Sequence, residues 1–145
     1  MKDFSDPAAC ACFNLRKAAR AVTQHYDEAL KPCGLRTTQF SILAVLARLS
    51  PAPVARLSAA LVMDRTTLTR NLKPLVGQGL VAILPGVDDR RKRNVSLTAK
   101  GRKAFERALP HWQAVQEEMI GRITPTRWQR LEKDLGHTVR AAAES

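Results

Sequence analysis

The run from Val54 to Thr98 constrains the fold more than any other stretch of this chain. Its apolar spacing predicts a short helix that buries Leu57, Ala60 and Leu61, followed by a tight turn and a second helix. Two short β-prone runs then flank a charged segment, which predicts a β-hairpin. A helix, a turn, a helix and a hairpin in this order form a helix-turn-helix with a wing, which is a DNA-binding layout.

The second helix of this run is predicted to have two chemically different faces. Asp64 precedes it and can cap its N-terminus, and Pro74 is predicted to bend its last turn. The predicted apolar stripe comprises Leu68, Leu72, Leu75 and Val76. The opposite side carries threonines, which reach base edges or phosphates, and arginines, which form bidentate hydrogen bonds with guanine. The residues predicted to contact DNA are Arg65, Thr66, Thr67, Thr69, Arg70 and Lys73. An ordinary solvated face would have similar residues, but the neighbouring turn and hairpin favour the DNA interpretation.

The predicted hairpin pairs Leu80–Leu84 with Asn94–Leu97 and carries the segment DDRRKRN between them. A charge run is usually only solvated, but at the end of a two-stranded ribbon it lets arginine enter a narrow minor groove. Asp89 is predicted to orient a neighbouring arginine through a charge-assisted bond. The wing residues predicted to take part in DNA binding are Asp89, Arg90, Arg91 and Arg93.

The pattern L-x-x-x-L…D-R-T-T-L-T-R-N-L…L-V-G-Q-G-L-V…D-D-R-R…V-S-L-T-x-x-G resembles the MarR family of winged helix-turn-helix regulators. The resemblance extends from about Cys12 to the C-terminal helix. Its sharpest part comprises Asp89, Arg90, Arg91, Leu97, Thr98 and Gly101. It implies a homodimer that binds a palindromic operator in double-stranded DNA and usually represses transcription. It also implies an effector that alters the spacing of the two recognition helices.

Composition and charge agree with a DNA-binding protein of one compact domain. The chain has 145 residues and a net charge of +11, and a balance of this kind indicates a polyanionic partner. Between Asp64 and Lys103 there are ten Lys or Arg against three Asp, so +7 of the +11 lies within forty residues. No signal peptide and no long apolar run is apparent, and a cytoplasmic protein without a membrane partner is therefore expected.

The remaining helices are predicted to form a dimerisation region. The first is expected to start at Asp6-Pro7 and to end near Leu30, and its apolar residues are spaced 4, 3, 4, 3, 4, 3, as in a heptad seam. That seam comprises Ala8, Cys12, Leu15, Ala19, Val22, Tyr26 and Ala29. Packing within one subunit is the alternative interpretation of this helix. Thr37 is expected to cap a central buried helix.

After the wing, Thr98 is expected to cap a long helix that Gly121 to Ile123 break, and Thr124-Pro125 to begin the last one. The predicted fold is mainly α with a small β-wing: a winged helix-turn-helix domain at residues 37–98, and a helical dimerisation region at residues 1–36 and 99–145.

Cys12 carries a second hypothesis. The string from Cys12 to Tyr26 is similar to the peroxide-sensing OhrR branch of the same family, in which the cysteine is oxidised and tyrosines engage it. Tyr26 matches one such tyrosine, whereas Arg16 stands at the other position. The alternative is that Cys12 is a small buried residue of the seam.

The resemblance to the MarR family also implies another route to regulation, a small aromatic or phenolic effector. Arg16 or Arg20 would pair with its carboxylate and Trp112 would stack on its ring; solvated arginines and a core tryptophan are the alternative.

The sequence gives no positive sign of an enzyme, a metal site or a cofactor. His25, His111 and His137 are scattered, and no paired histidine or C-x-x-C motif accompanies them. No phosphate-binding glycine loop or nucleophile elbow is present. A non-enzymatic regulator is therefore predicted, with a sequence-independent architectural DNA-binding protein as the alternative.

Overall fold

A computed structural model describes residues 3–144 of the chain, which are mainly helical with one small antiparallel sheet. This architecture confirms the predicted fold class. The helices are α1 (Ala11–Leu30), α2 (Thr37–Leu49), α3 (Val54–Leu61), α4 (Arg65–Gly77), α5 (Ala99–Ile123) and α6 (Pro125–Ala143). The strands are β1 (Ala52–Pro53), β2 (Val81–Pro85) and β3 (Arg93–Leu97). The chain divides into two compact units, one reaching to His111 and the other beginning at Trp112.

The core of the first unit is built on α2, which buries Phe40, Ile42, Leu43 and Leu46. This confirms the predicted central helix. In α3 the buried side chains are Val54 and Leu57, whereas Ala60 is exposed and Leu61 is half-buried. The expected burial of Ala60 was wrong, because Val54 shares the buried face of α3 with Leu57. The stripe made by residues 54, 57 and 61 faces inward, and Ala60 lies at its edge.

The sheet has the strand order β1-β3-β2, so β3 is its central strand. The β2–β3 hairpin matches the predicted wing to within one residue at each strand, with Val81 opposite Leu97 and Pro85 opposite Arg93. The β1 strand was not predicted, because its two residues lie in a proline-rich connection. Proline is tolerated in an edge strand, and Pro53 pairs there with Asn94.

Several helix ends differ from the sequence-based expectation. Asp6 does act as a cap, but its carboxylate accepts the N–H of Ala8 at 2.9 Å and caps a 3₁₀ turn instead of α1. Helix α1 begins four residues later, where Cys10 Sγ accepts the N–H of Phe13 at 3.5 Å. Thr37 is the first residue of α2 and not its cap; its N–H donates to Asp27 Oδ1 of α1 at 2.7 Å. A carboxylate distant in the sequence therefore satisfies this N–H, while Gln39 Oε1 accepts the N–H of Arg36 at 3.0 Å and caps the same helix end locally.

Helix α5 passes through Gly121 and ends at Ile123, so the expected break inside it was wrong. The interruption comes at Thr124, whose φ of +81° ends the helical path before α6 begins.

The second unit comprises the end of α5 together with α6. None of the described side chains of α6 is buried, and the face predicted to be apolar is only partly covered in the single chain, with Trp128 and Leu135 half-buried. On that face Leu131 is 41% exposed and Val139 is 47% exposed. Within residues 3–144, no helix is both long and apolar enough to cross a bilayer. The same residues contain no group of three His, Cys, Asp or Glu side chains that would hold a metal ion.

Candidate nucleic-acid interface

The N-terminus of α4 is fixed by Asp64, as predicted. Its carboxylate accepts the N–H of Thr67 at 2.6 Å. Hydrogen bonds from the hydroxyl of Thr67 and then from its amide hold the pKa of Asp64 below its usual range, and the positive charge of Arg70 adds to this. Because the folded-state pKa is lowered, the cap stabilises the fold above the ordinary aspartate pKa, and that stability is lost as the pH falls through the lowered value.

Helix α4 presents a buried face and an exposed one. Leu68, Leu72 and Leu75 are at most 1% exposed, and they attach the helix to the core. Val76 was expected in this stripe but is 41% exposed, because it lies in the last turn at the edge of the apolar face. The helix continues through Pro74. The residues that the sequence assigned to DNA contact are all exposed and form what is called here the DNA face: Arg65, Thr66, Thr67, Thr69, Arg70 and Lys73.

The turn between α3 and α4 is made by Val62, which adopts the left-handed conformation with φ of +51° and ψ of +44°. A β-branched residue is strained in this region by roughly 1–2 kcal/mol. The turn is held by a hydrogen bond from the N–H of Met63 to Ser58 O at 3.0 Å. The predicted tight turn is therefore present between α3 and α4.

The C-terminus of α4 is bonded to the first turn of α5. Thr98 Oγ1 donates to Gly79 O at 2.7 Å and accepts the N–H of Gly101 at 2.9 Å, so this residue caps α5 as predicted and also joins the two helices. Lys100 Nζ donates to Gln78 O at 2.9 Å. Sequence reasoning missed Lys100. The sequence did offer one signal for its role: Lys100 is a cation in the first turn of a helix, where it opposes the helix dipole and needs another partner.

The tip of the wing, residues 86–92, is closed by its own hydrogen bonds. The N–H of Gly86 donates to Lys92 O at 2.8 Å, and the N–H of Lys92 donates to Asp89 O at 3.0 Å. Asp89 Oδ1 accepts the N–H of Arg91 at 2.9 Å and lies 3.6 Å from Arg91 Nε. Asp89 therefore faces an arginine, as the sequence suggested. The side chains of Arg90, Arg91 and Arg93 are exposed.

The residues proposed for redox sensing are not brought together within one chain. Cys12 is exposed near the start of α1, whereas Tyr26 is buried toward its end, and this burial raises the pKa of Tyr26. At 1.5 Å per residue, the fourteen residues between them span about 21 Å of continuous helix. The alternative interpretation, in which Cys12 is a small buried residue of the seam, does not hold in the single chain either, because this thiol is exposed.

The residues proposed for effector binding lie in both units. Arg16 and Arg20 are exposed on α1, and Trp112 is half-buried in α5. The first unit also contains a cleft of about 460 Å³ that was not predicted, between α1, α2 and the flank of α4. Its lining consists of Thr23, Asp27, Arg36, Thr38, Gln39, Asn71 and Pro74.

Comparisons with known proteins agree with this geometry. A sequence profile of the MarR family matches residues 35–92, from just before α2 to the wing tip. The solved structure of the transcriptional regulator MosR from M. tuberculosis in complex with DNA is similar, with 42% identity and a TM-score of 0.84. That similarity covers 92% of this chain and 96% of the MosR chain.

Two curated relatives have different described roles. The transcriptional activatory protein BadR of Rhodopseudomonas palustris is 32% identical over 113 residues, which is 75% of this chain and 65% of BadR. The organic hydroperoxide resistance transcriptional regulator of Bacillus subtilis is 30% identical over 98 residues, which is 68% of this chain and 67% of that protein.

Proposed function

The chain belongs to the MarR family and is a DNA-binding transcriptional regulator, and from that premise we propose that it acts as a homodimeric repressor. Two copies would bind a palindromic operator, each placing the DNA face of α4 in the major groove and its wing in the adjacent minor groove. This proposal rests on one observation. The DNA face and the wing arginines are all exposed, and the bond from Thr98 to Gly79 joins the end of the wing to the end of α4.

Open apolar faces support the homodimer. Leu15 and Val22 on the predicted seam of α1 are exposed in the single chain, as are Leu131 and Val139 on α6. Contact with a second copy would remove these side chains from water. In such a dimer the two α4 helices would lie about 34–36 Å apart, which is one turn of DNA.

A competition gel at moderate salt tests the repressor against an architectural role. A labelled fragment from the DNA flanking the gene is challenged with an identical unlabelled fragment and with random DNA. Specific binding is expected to exceed non-specific binding by about 10³-fold or more. Equal competition by random DNA would contradict operator recognition.

The same assay tests the proposed effector. We propose a small aromatic or phenolic molecule that contacts Arg16 or Arg20 on α1. Its carboxylate would pair with a guanidinium, which is the geometry arginine favours. Benzoate and phenol added to the operator complex are expected to release the DNA in a dose-dependent way, and no release by either compound would contradict this ligand class.

Release by an oxidant through Cys12 is the second hypothesis, supported by the exposure of this thiol and by the similarity to the hydroperoxide regulator. Because Tyr26 of the same chain is too far away, the hypothesis requires the tyrosine of the second copy. Organic peroxide is expected to release operator from the wild type but not from Cys12→Ser, with Cys33→Ser as the matched control. Equal release from wild type and Cys12→Ser would eliminate this role.

A further inference from the structure

Val87 at the wing tip is the most exposed large apolar side chain among residues 3–144, at 94%. Single apolar residues on a surface are common and need no explanation by themselves. This one lies within a few residues of four consecutive cations, Arg90 to Arg93, all of which are exposed. The surroundings of Val87 therefore attract a polyanion.

The tip holds Val87 outward instead of letting it fold onto the sheet. The bonds from Gly86 to Lys92 and from Lys92 to Asp89 close the loop on both sides of it. The loop is also tight, because a Cβ on Gly86 would lie 2.6 Å from Asp89 O. The apolar group of Val87 therefore stands exposed in a loop of cationic character whose backbone is closed by hydrogen bonds.

We propose that Val87 is a DNA-contacting residue that packs against the deoxyribose walls of the minor groove. The sugars present C–H groups there, and apolar side chains are known to be used in this groove beside arginines. The inference rests on the proposed placement of the wing in the minor groove. The proposed contact is uncharged, whereas the rest of the wing tip is dominated by cations.

An apolar contact and a phosphate contact have different salt signatures. Each phosphate contact releases counterions and contributes about −0.9 to the slope of log K against log salt concentration. Burial of a valine against sugar releases no counterion, so it raises affinity without changing that slope. The two kinds of contact are therefore separable in one titration series.

The experiment compares Val87→Thr with Val87→Ile and Arg91→Ala in operator titrations across a range of salt concentrations. Threonine keeps the shape of valine but is polar, and with two wings per dimer Val87→Thr is expected to weaken binding about tenfold at every salt concentration. Val87→Ile is expected to bind at least as tightly as wild type. Arg91→Ala is expected to weaken binding and to flatten the slope by roughly one unit or more. Hydroxyl-radical footprinting of Val87→Thr should show lost protection of sugars at the wing positions.

The outcomes distinguish this contact from the placement of the wing. Wild-type affinity for Val87→Thr together with a flattened slope for Arg91→Ala would overturn the Val87 contact and leave the wing in the groove. No effect of either substitution would overturn both. A flattened slope for Val87→Thr would show that its effect is electrostatic, which also contradicts an apolar contact. Unchanged melting temperatures establish that all three variants are folded.

Discussion

Leu131→Pro is expected to convert the protein to a monomer and to weaken operator binding by about a hundredfold or more, because two linked half-sites bind far more tightly than one. Leu131 lies in the middle of α6, where proline removes a backbone hydrogen bond and clashes with the preceding turn. Its side chain is 41% exposed in the single chain, so its main packing is expected to come from the second copy. Sedimentation velocity and fluorescence anisotropy with labelled operator measure the two effects.

Two further variants separate lost dimerisation from a broken helix. Leu131→Glu keeps the helix but places a charge on its apolar face, and it is expected to give a monomer as well. Glu132→Ala changes the adjacent exposed residue and is expected to behave as wild type. A dimeric Leu131→Glu, or a monomer that retains full operator affinity, would contradict the proposed homodimer.

Gly101→Ala is expected to lower the free energy of unfolding by about 3 kcal/mol, the upper range for overpacking a tight site. A Cβ at this position would collide with the carbonyl oxygen of Leu80 and would lie 2.8 Å from Leu97 Cδ1. The Leu80 carbonyl cannot move freely, because it accepts the N–H of Thr98 at 3.1 Å. The junction between α4 and α5 must therefore open. For a chain of this size the expected fall in Tm is roughly 6–12 °C.

The same helix supplies the control. Gly121 lies near the end of α5, and an added Cβ there would meet no atom within 4 Å. Gly121→Ala is expected to raise stability by up to about 1 kcal/mol, since alanine is the better helix former. Thermal unfolding followed by circular dichroism gives both values. A tolerated Gly101→Ala would mean that α5 does not need its close approach to Leu80.

The helix-turn-helix and the wing were predictable because their signals are local. Asp64 stands immediately before the helix that it caps, and Gly79 follows the end of that helix with a φ of +72°. The exposed cations of α4 could be assigned to one face from helical periodicity alone. The two strands of the wing could be predicted from the run of β-prone residues on each side of a charged tip.

The features that were missed depend on residues far apart in the chain. The partner of the Thr37 N–H at the start of α2 is Asp27, ten residues earlier, and β1 exists because Ala52 pairs with Val95. Lys100 reaches Gln78 across 22 positions. No local pattern encodes such partners, because they are selected by which elements the core brings into contact.

The sequence by itself determined the order of the elements, the capped and cationic second helix of the DNA-binding motif, and the basic hairpin, because caps, periodicity and turn residues act over a few positions. The tertiary structure decided how α4 is joined to α5, and which apolar side chains remain exposed once one chain has formed its core. Both features depend on how the buried faces of the elements pack against one another, which is a property of the packed chain and not of any single segment.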